Sequence, residues 1–182
     1  MAMGPVIALR PASLWRGGGW VLLAAAIGFA SPSHAAVGDR VKAAFLLNFA
    51  KFVDWPAGHF DAPDSPVQLC LQVPDDVADT IRSSLAGKSV GRRPMRVERR
   101  PKSLDGCDLA YLRGDDDRVR QQLGRLPSPG LLSVYEHPDT VESGVIRLFL
   151  EERKIRFSID VESAQAQQLT VSAKLLSVAR QP

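Results

Sequence analysis

VKAAFLLNFAKFVDWP, residues 41–56, reads as one helix buried on most of its circumference. Its polar residues are confined to Lys42, Asn48, Lys51 and Asp54. The last three recur at i, i+3 and i+6, a narrow polar stripe on a helical period. Phe45, Leu46, Leu47, Phe49, Phe52 and Val53 fill the rest, and a helix that apolar has to be covered on more than one side. Asp39 is placed to cap its start. Trp55-Pro56 is placed to stop it, because the residue before a proline avoids the helical region. Phe45, Phe49 and Phe52 share one arc and are expected to face a sheet. Leu46 and Val53 lie off that arc and are the expected partner or dimer surface, the alternative being cover by a second layer of the chain itself.

Upstream, residues 1–35 have the layout of a cleavable export signal. Arg10 and Arg16 supply positive charge, and Trp20–Ala30, WVLLAAAIGFA, is an apolar run too short to span a bilayer comfortably. Ser31-Pro32-Ser33-His34-Ala35 breaks it, with small residues at Ser33 and Ala35. An uncleaved anchor helix is the alternative, but no stop-transfer segment follows. Residues 36–182 would then be the exported part, long enough for one domain with a real core. Without Arg10 and Arg16 the formal charge falls from +3 to near +1. A near-neutral protein gives no reason to expect nucleic-acid binding.

Two cysteines, Cys70 and Cys107, lie in the exported part. In an oxidising compartment an even pair most simply means one bridge. Closing the loop between them would stabilise by roughly 4 kcal/mol in the chain-entropy model. Two buried free thiols are the alternative. They do not form a C-x-x-C pair, so a thioredoxin-like site has no support.

Further along, Val67–Val73 alternates as a strand. Asp75–Ala86 reads as a helix stopped by Gly87. Met95–Glu98, Asp108–Leu112 and Leu131–Tyr135 read as short strands, with a helix over Asp115–Leu126 whose first turn carries Asp115, Asp116 and Asp117. Gly144–Glu151 and Lys154–Ile159 read as a hairpin turning at Glu152-Arg153. Ser163–Gln168 is a short helix, Leu169–Ala173 alternates, and Lys174–Ala179 forms a last helical turn or two. The pattern predicts a single compact α/β domain: a mixed, mostly parallel sheet flanked by helices, ending in an antiparallel hairpin.

The search for chemistry yields little. Gly87-Lys88-Ser89 lacks the upstream glycine of a phosphate loop, since position 82 is Arg82. His59 and His137 sit alone in loops and read as surface residues rather than zinc ligands. No G-x-S-x-G elbow occurs. Asp115–Asp117 reads as helix N-terminal charge rather than a cation site. Arg92, Arg93, Arg96, Arg99, Arg100 and Lys102 form a basic run, the usual guise of a solvated sheet edge. Arg92 and Arg96, with Arg147 and Arg156 on the hairpin, are the candidates for contact with an anionic ligand or lipid headgroups. No metal, cofactor or catalytic residue is assigned, which favours a binding or regulatory protein over an enzyme.

The opening helix, with its Lys-Ala-Ala-Phe start, Asn-Phe-Ala-Lys-Phe core and Trp-Pro stop, resembles the YfiR/HmsC-like periplasmic proteins. So do Ser65–Val73, Gly87-Lys88-Ser89-Val90-Gly91-Arg92 and Leu104-Asp105-Gly106-Cys107-Asp108. The resemblance continues through Gly144-Val145-Ile146, Lys154–Asp160 and Leu169–Leu176, in order. It implies a small periplasmic α/β protein. In the family's best-known member that protein represses an inner-membrane diguanylate cyclase by binding its periplasmic sensor domain, which limits cyclic di-GMP and biofilm. It also implies dimers and disulfides, with Cys70 and Cys107 at the positions of one family pair. The family's second cysteine pair, in the hairpin half, has no counterpart here. Asp160 stands where an asparagine is usual, and Ala173 where a second serine is. The leading expectation is therefore a repressor of such a cyclase. A periplasmic small-molecule sensor, with its ligand in the crevice at the carboxyl ends of the parallel strands, is the second.

Overall fold

The computed structural model describes residues 34–113, 121, 129–136 and 144–180. The expected export signal apart from His34-Ala35, the Asp115–Leu126 helix apart from Gln121, and His137 lie outside these residues. The opening helix, α1, runs His34–Lys51. It thus starts before Asp39, which is not a cap but a buried residue within the helix. It also stops before Val53. Val53–Asp54 form a strand, β1, paired antiparallel with β9 (Thr170–Val171) in a separate two-stranded sheet. The physical reason is local. Pro56 denies Trp55 the helical conformation, and β-branched Val53 has a strand partner to join.

The main sheet is built from β2 (Val67–Gln72), β3 (Ser89–Val90), β4 (Arg93–Arg99), β5 (Leu109–Arg113), β6 (Leu132–Glu136), β7 (Ile146–Glu151) and β8 (Lys154–Ile159). Its order is β3-β4-β2-β5-β6-β7-β8. The five strands from β4 to β7 run parallel, and β3 and β8 are antiparallel edges. β3 is too short to leave a periodic signal in the sequence. The hairpin turn falls at Glu152-Arg153 as expected, with both residues at positive φ, as a two-residue turn between twisted strands requires.

Alternation along the strands sorts the sheet into two faces. Leu69, Leu71, Leu109, Tyr111, Leu132, Val134, Ile146, Leu148 and Phe157 belong to one core with α1 and α2 (Asp75–Leu85). Phe45 and Phe49 both meet Phe157 edge-on, at 5.7 and 5.0 Å. Leu46 and Val53 are members of the same core, at 0% and 4% exposure. The partner surface expected at these two is therefore not available. The second layer that covers them is the chain's own. They were misplaced because periodicity identifies an apolar side chain without saying what covers it.

The opposite face gathers Cys70, Leu104, Cys107, Ala110, Leu112, Leu131 and Tyr135. Here the topology makes an unusual demand. The chain leaves β4 on one side of β2 and enters β5 on the other, so residues 100–108 must cross β2 with no helix of their own. They are stitched to it along the way. Arg100, at positive φ, donates its N–H to the Leu71 carbonyl, and Gln72 donates from its side chain to the Pro101 carbonyl. Cys107 is bridged to Cys70, with Cα atoms 5.9 Å apart. Asp108 donates its N–H to the Gln68 carbonyl and accepts the Gln68 N–H in return.

The two departures in the C-terminal part have a simple basis. Asp160 caps α3 (Val161–Ala166), its carboxylate accepting the Ser163 N–H at 3.0 Å. Aspartate and asparagine serve equally at that position. In α4 (Ala173–Leu176) Ser172 is the cap, so Ala173 occupies the first helical position and loses no capping bond.

Candidate functional site

Three places concentrate polar chemistry. The first lies at the carboxyl ends of β5 and β6, where doubly wound sheets usually bind ligands. Here α1 lays charge across the strand ends. Lys42, buried in the helix, reaches Glu136 at the end of β6 at 2.9 Å and Asp39 one turn earlier at 3.5 Å. Arg113, the last residue of β5, approaches Asp39 at 3.4 Å and Glu136 at 3.8 Å. Tyr111 donates its hydroxyl to Glu136 at 2.6 Å. Two cations and two carboxylates thus balance. Burial strongly raises the Tyr111 pKa, and the Glu136 charge raises it further, so the hydroxyl stays protonated as the donor. For Glu136 burial alone would raise the pKa. The bonds from Tyr111 and Lys42 and the charges of Lys42 and Arg113 overcome this and hold it below the usual carboxylate value. The arrangement ties α1 to the sheet.

The second place is at the amino ends. Asp108 uses its other carboxylate oxygen to bind His59 at 2.7 Å. His59 stacks with Trp55 and meets Phe60 edge-on. Trp55 donates its indole N–H to the Gly130 carbonyl at 3.0 Å. Arg93 lies over the Phe60 ring at 3.9 Å and donates to the Ala62 and Ser65 carbonyls. His59 is thus a partly buried strut of the loop after β1, not the surface residue expected. A groove of about 450 Å³ opens beside it, lined among others by Lys51, Asp54, Trp55, His59 and Arg93.

The third place is the β7–β8 hairpin. The structure does not assemble the four candidate arginines into one site. Arg92, in the turn before β4, and Arg96 on β4 lie toward one side of the sheet. Arg147 and Arg156 lie on β7 and β8, with β2, β5 and β6 between the two sets. Arg147 and Arg156 do share a face, because Arg147 opposes Ser158 and Arg156 opposes Phe149. Arg147 lies over the Phe149 ring at 5.1 Å, and Arg156 approaches Glu151 at 3.6 Å. Cys70 and Cys107 are brought together as a disulfide. Gly87 ends α2 at positive φ, with Lys88 N–H bonded to the Leu85 carbonyl, a helix stop.

Sequence reasoning missed the five-residue cluster at the carboxyl ends. The available signal was Asp39 and Lys42, an i, i+3 charged pair on an otherwise apolar helix. Among the described residues, no group of three or more His, Cys, Asp or Glu side chains is placed to hold a metal ion. No helix among them is long and apolar enough to cross a membrane.

No curated protein matches this sequence. A sequence model of a known family does match it, over residues 39–180, from the buried Asp39 of α1 to Arg180 beside β8. The matched span takes in both sheets, α1 from Asp39 onward, the helices α2 to α4, the Cys70–Cys107 bridge and the ion cluster at the carboxyl ends. The chain belongs to the YfiR/HmsC-like family.

Proposed function

We propose that this chain is an exported regulatory binding protein that restrains a membrane diguanylate cyclase. Residues 1–35 direct it to the periplasm and are removed. Residues 36–182 then act on the periplasmic sensor domain of the cyclase, which keeps cyclic di-GMP and biofilm formation low. The observation that carries this reading is the family match across residues 39–180. The geometry supports it, because the most densely charged residues are engaged in holding layers together. Lys42 and Glu136 fasten α1 to the sheet, and the His59–Asp108 pair fastens a loop.

The test is capture of partners from detergent-solubilised inner membrane on the exported, C-terminally tagged protein. Recovery of a membrane diguanylate cyclase is expected. Its absence from the captured proteins, with the bait folded, would overturn the reading. The groove beside Trp55, His59 and Arg93 favours a second reading, a small-molecule sensor. Its ligand would sit at the amino ends, since the carboxyl ends of β5 and β6 are occupied by the ion cluster.

A further inference from the structure

We infer that the tip of the β7–β8 hairpin, with the chain segment around Val178 and Arg180, binds the surface of an anionic phospholipid membrane. Charge is the first argument. Arg153, Lys154, Arg156 and Arg180 gather here against Glu151 and Glu152 among the described residues, while Arg147, opposite Ser158, lies at the other end of the hairpin toward Asp160. Both Arg180 and Arg156 turn to the same carboxylate, Glu151, at 2.6 and 3.6 Å. Among the described residues the Nε of Arg156 makes no hydrogen bond. One carboxylate is thus shared by two guanidiniums, and the hairpin keeps a positive excess.

The second argument is apolar. Leu150 and Val178, at 72% and 67% exposure, stand out well above Val37, Val41 and Val161, the other exposed large hydrophobic side chains among the described residues. Leu150 lies near the tip on the Ile155 side of the hairpin, the face opposite Glu151 and Lys154, and Val178 stands two residues before Arg180, whose N–H bonds the Phe157 carbonyl of β8. Exposed apolar side chains interleaved with excess basic charge form the pattern of an interfacial membrane contact. The apolar groups enter the boundary below the headgroups, and the cations meet lipid phosphates.

The basic run on β4 keeps Arg92 and Arg96 without an ion pair among the described residues, but much of its charge is spent and it lacks the exposed apolar side chains. Arg99 pairs with Asp79, Arg100 with Asp75, and Arg93 is spent on two carbonyls and the Phe60 ring. None of the exposed large hydrophobic residues lies there. Charge and exposure together therefore select the hairpin.

The inference stands apart from the cyclase reading and is tested without a partner. Protein purified from the periplasm is mixed with vesicles of phosphatidylglycerol and phosphatidylethanolamine, and with vesicles of phosphatidylcholine alone. Bound protein is measured by sedimentation at two salt concentrations. Binding only to the anionic vesicles, weakened by salt, is expected. Arg153→Gln with Lys154→Gln is expected to weaken it by about tenfold or more. Leu150→Ser should weaken it further, while melting temperatures stay near the parent's, since these side chains are exposed. All variants carry the same N-terminus, so no segment there can account for a difference. Equal binding to uncharged vesicles, or no effect of the three substitutions, would overturn the proposal. So would full competition by millimolar inorganic phosphate or glycerol phosphate, which would mark a free-anion site. Binding to purified peptidoglycan but not to vesicles would overturn it as well.

Discussion

Replacing both Cys70 and Cys107 by alanine is expected to lower the unfolding free energy by about 4 kcal/mol, the chain-entropy value for a separation of 37 residues. For a domain of this size that is on the order of 10 °C in melting temperature. The reason is topological. Residues 100–108 carry the chain across β2 without a helix, so little apolar surface of their own holds them down. Cys107 and Leu104 are the buried exceptions, and both pack around the bridge. Without it, hydrogen bonds from Arg100, Gln72 and Asp108 are left to hold the crossing. Ala110 and Leu112 beneath would be easier for water to reach. Urea unfolding of the double variant, with the parent measured in oxidised and reduced form, checks this. The reduced parent and the variant should agree. A loss under about 1 kcal/mol would show that those hydrogen bonds suffice on their own.

Lys42→Met is expected to destabilise by about 3 kcal/mol, because it leaves two carboxylates near one another with their central cation gone. Asp39 is almost fully buried and Glu136 is mostly so. Methionine keeps the volume of the lysine stem, so the loss reports charge rather than packing. Adding Glu136→Gln to Lys42→Met should recover part of the loss, since one uncompensated carboxylate is removed. The pH dependence follows from the same groups. The Glu136 pKa is depressed in the fold, so its contribution is present above the usual value of 4.5 and is lost as the pH falls through the lower folded value. The Tyr111 pKa is raised, so its contribution is present below the usual 10.0 and is lost above it. Stability should therefore form a plateau between these limits, and Glu136→Gln should flatten its acid side. Melting curves from about pH 3 to about pH 6, the range in which carboxylates titrate, measure the acid side. An unchanged acid limb in Glu136→Gln would place the acid sensitivity elsewhere.

These effects also mark what could be read from the residues alone. β2, α2 and the hairpin lie where alternation, an acidic first turn and a glycine stop placed them. Such signals are local. The bridge was legible because cysteine has few roles in an oxidising compartment. What escaped depends on distant partners. Val53–Asp54 continues the helical pattern, and the strand it joins instead, Thr170–Val171, lies far along the chain. Lys42 read only as one of four polar residues on an apolar helix, and its partner Glu136 is 94 residues away. His59 looked like a loop histidine, and its partner Asp108 is 49 residues away. Leu46 was seen to be apolar and off the phenylalanine arc, but its cover is the tertiary core.

The central claim concerns regulation, and intracellular cyclic di-GMP tests it most directly. It would be measured in cells lacking the protein and in cells restored with it, with and without its residues 1–35. The proposed function predicts a rise on deletion, reversal by the full chain, and no reversal by the form that stays in the cytoplasm. Unchanged cyclic di-GMP across these strains would contradict it.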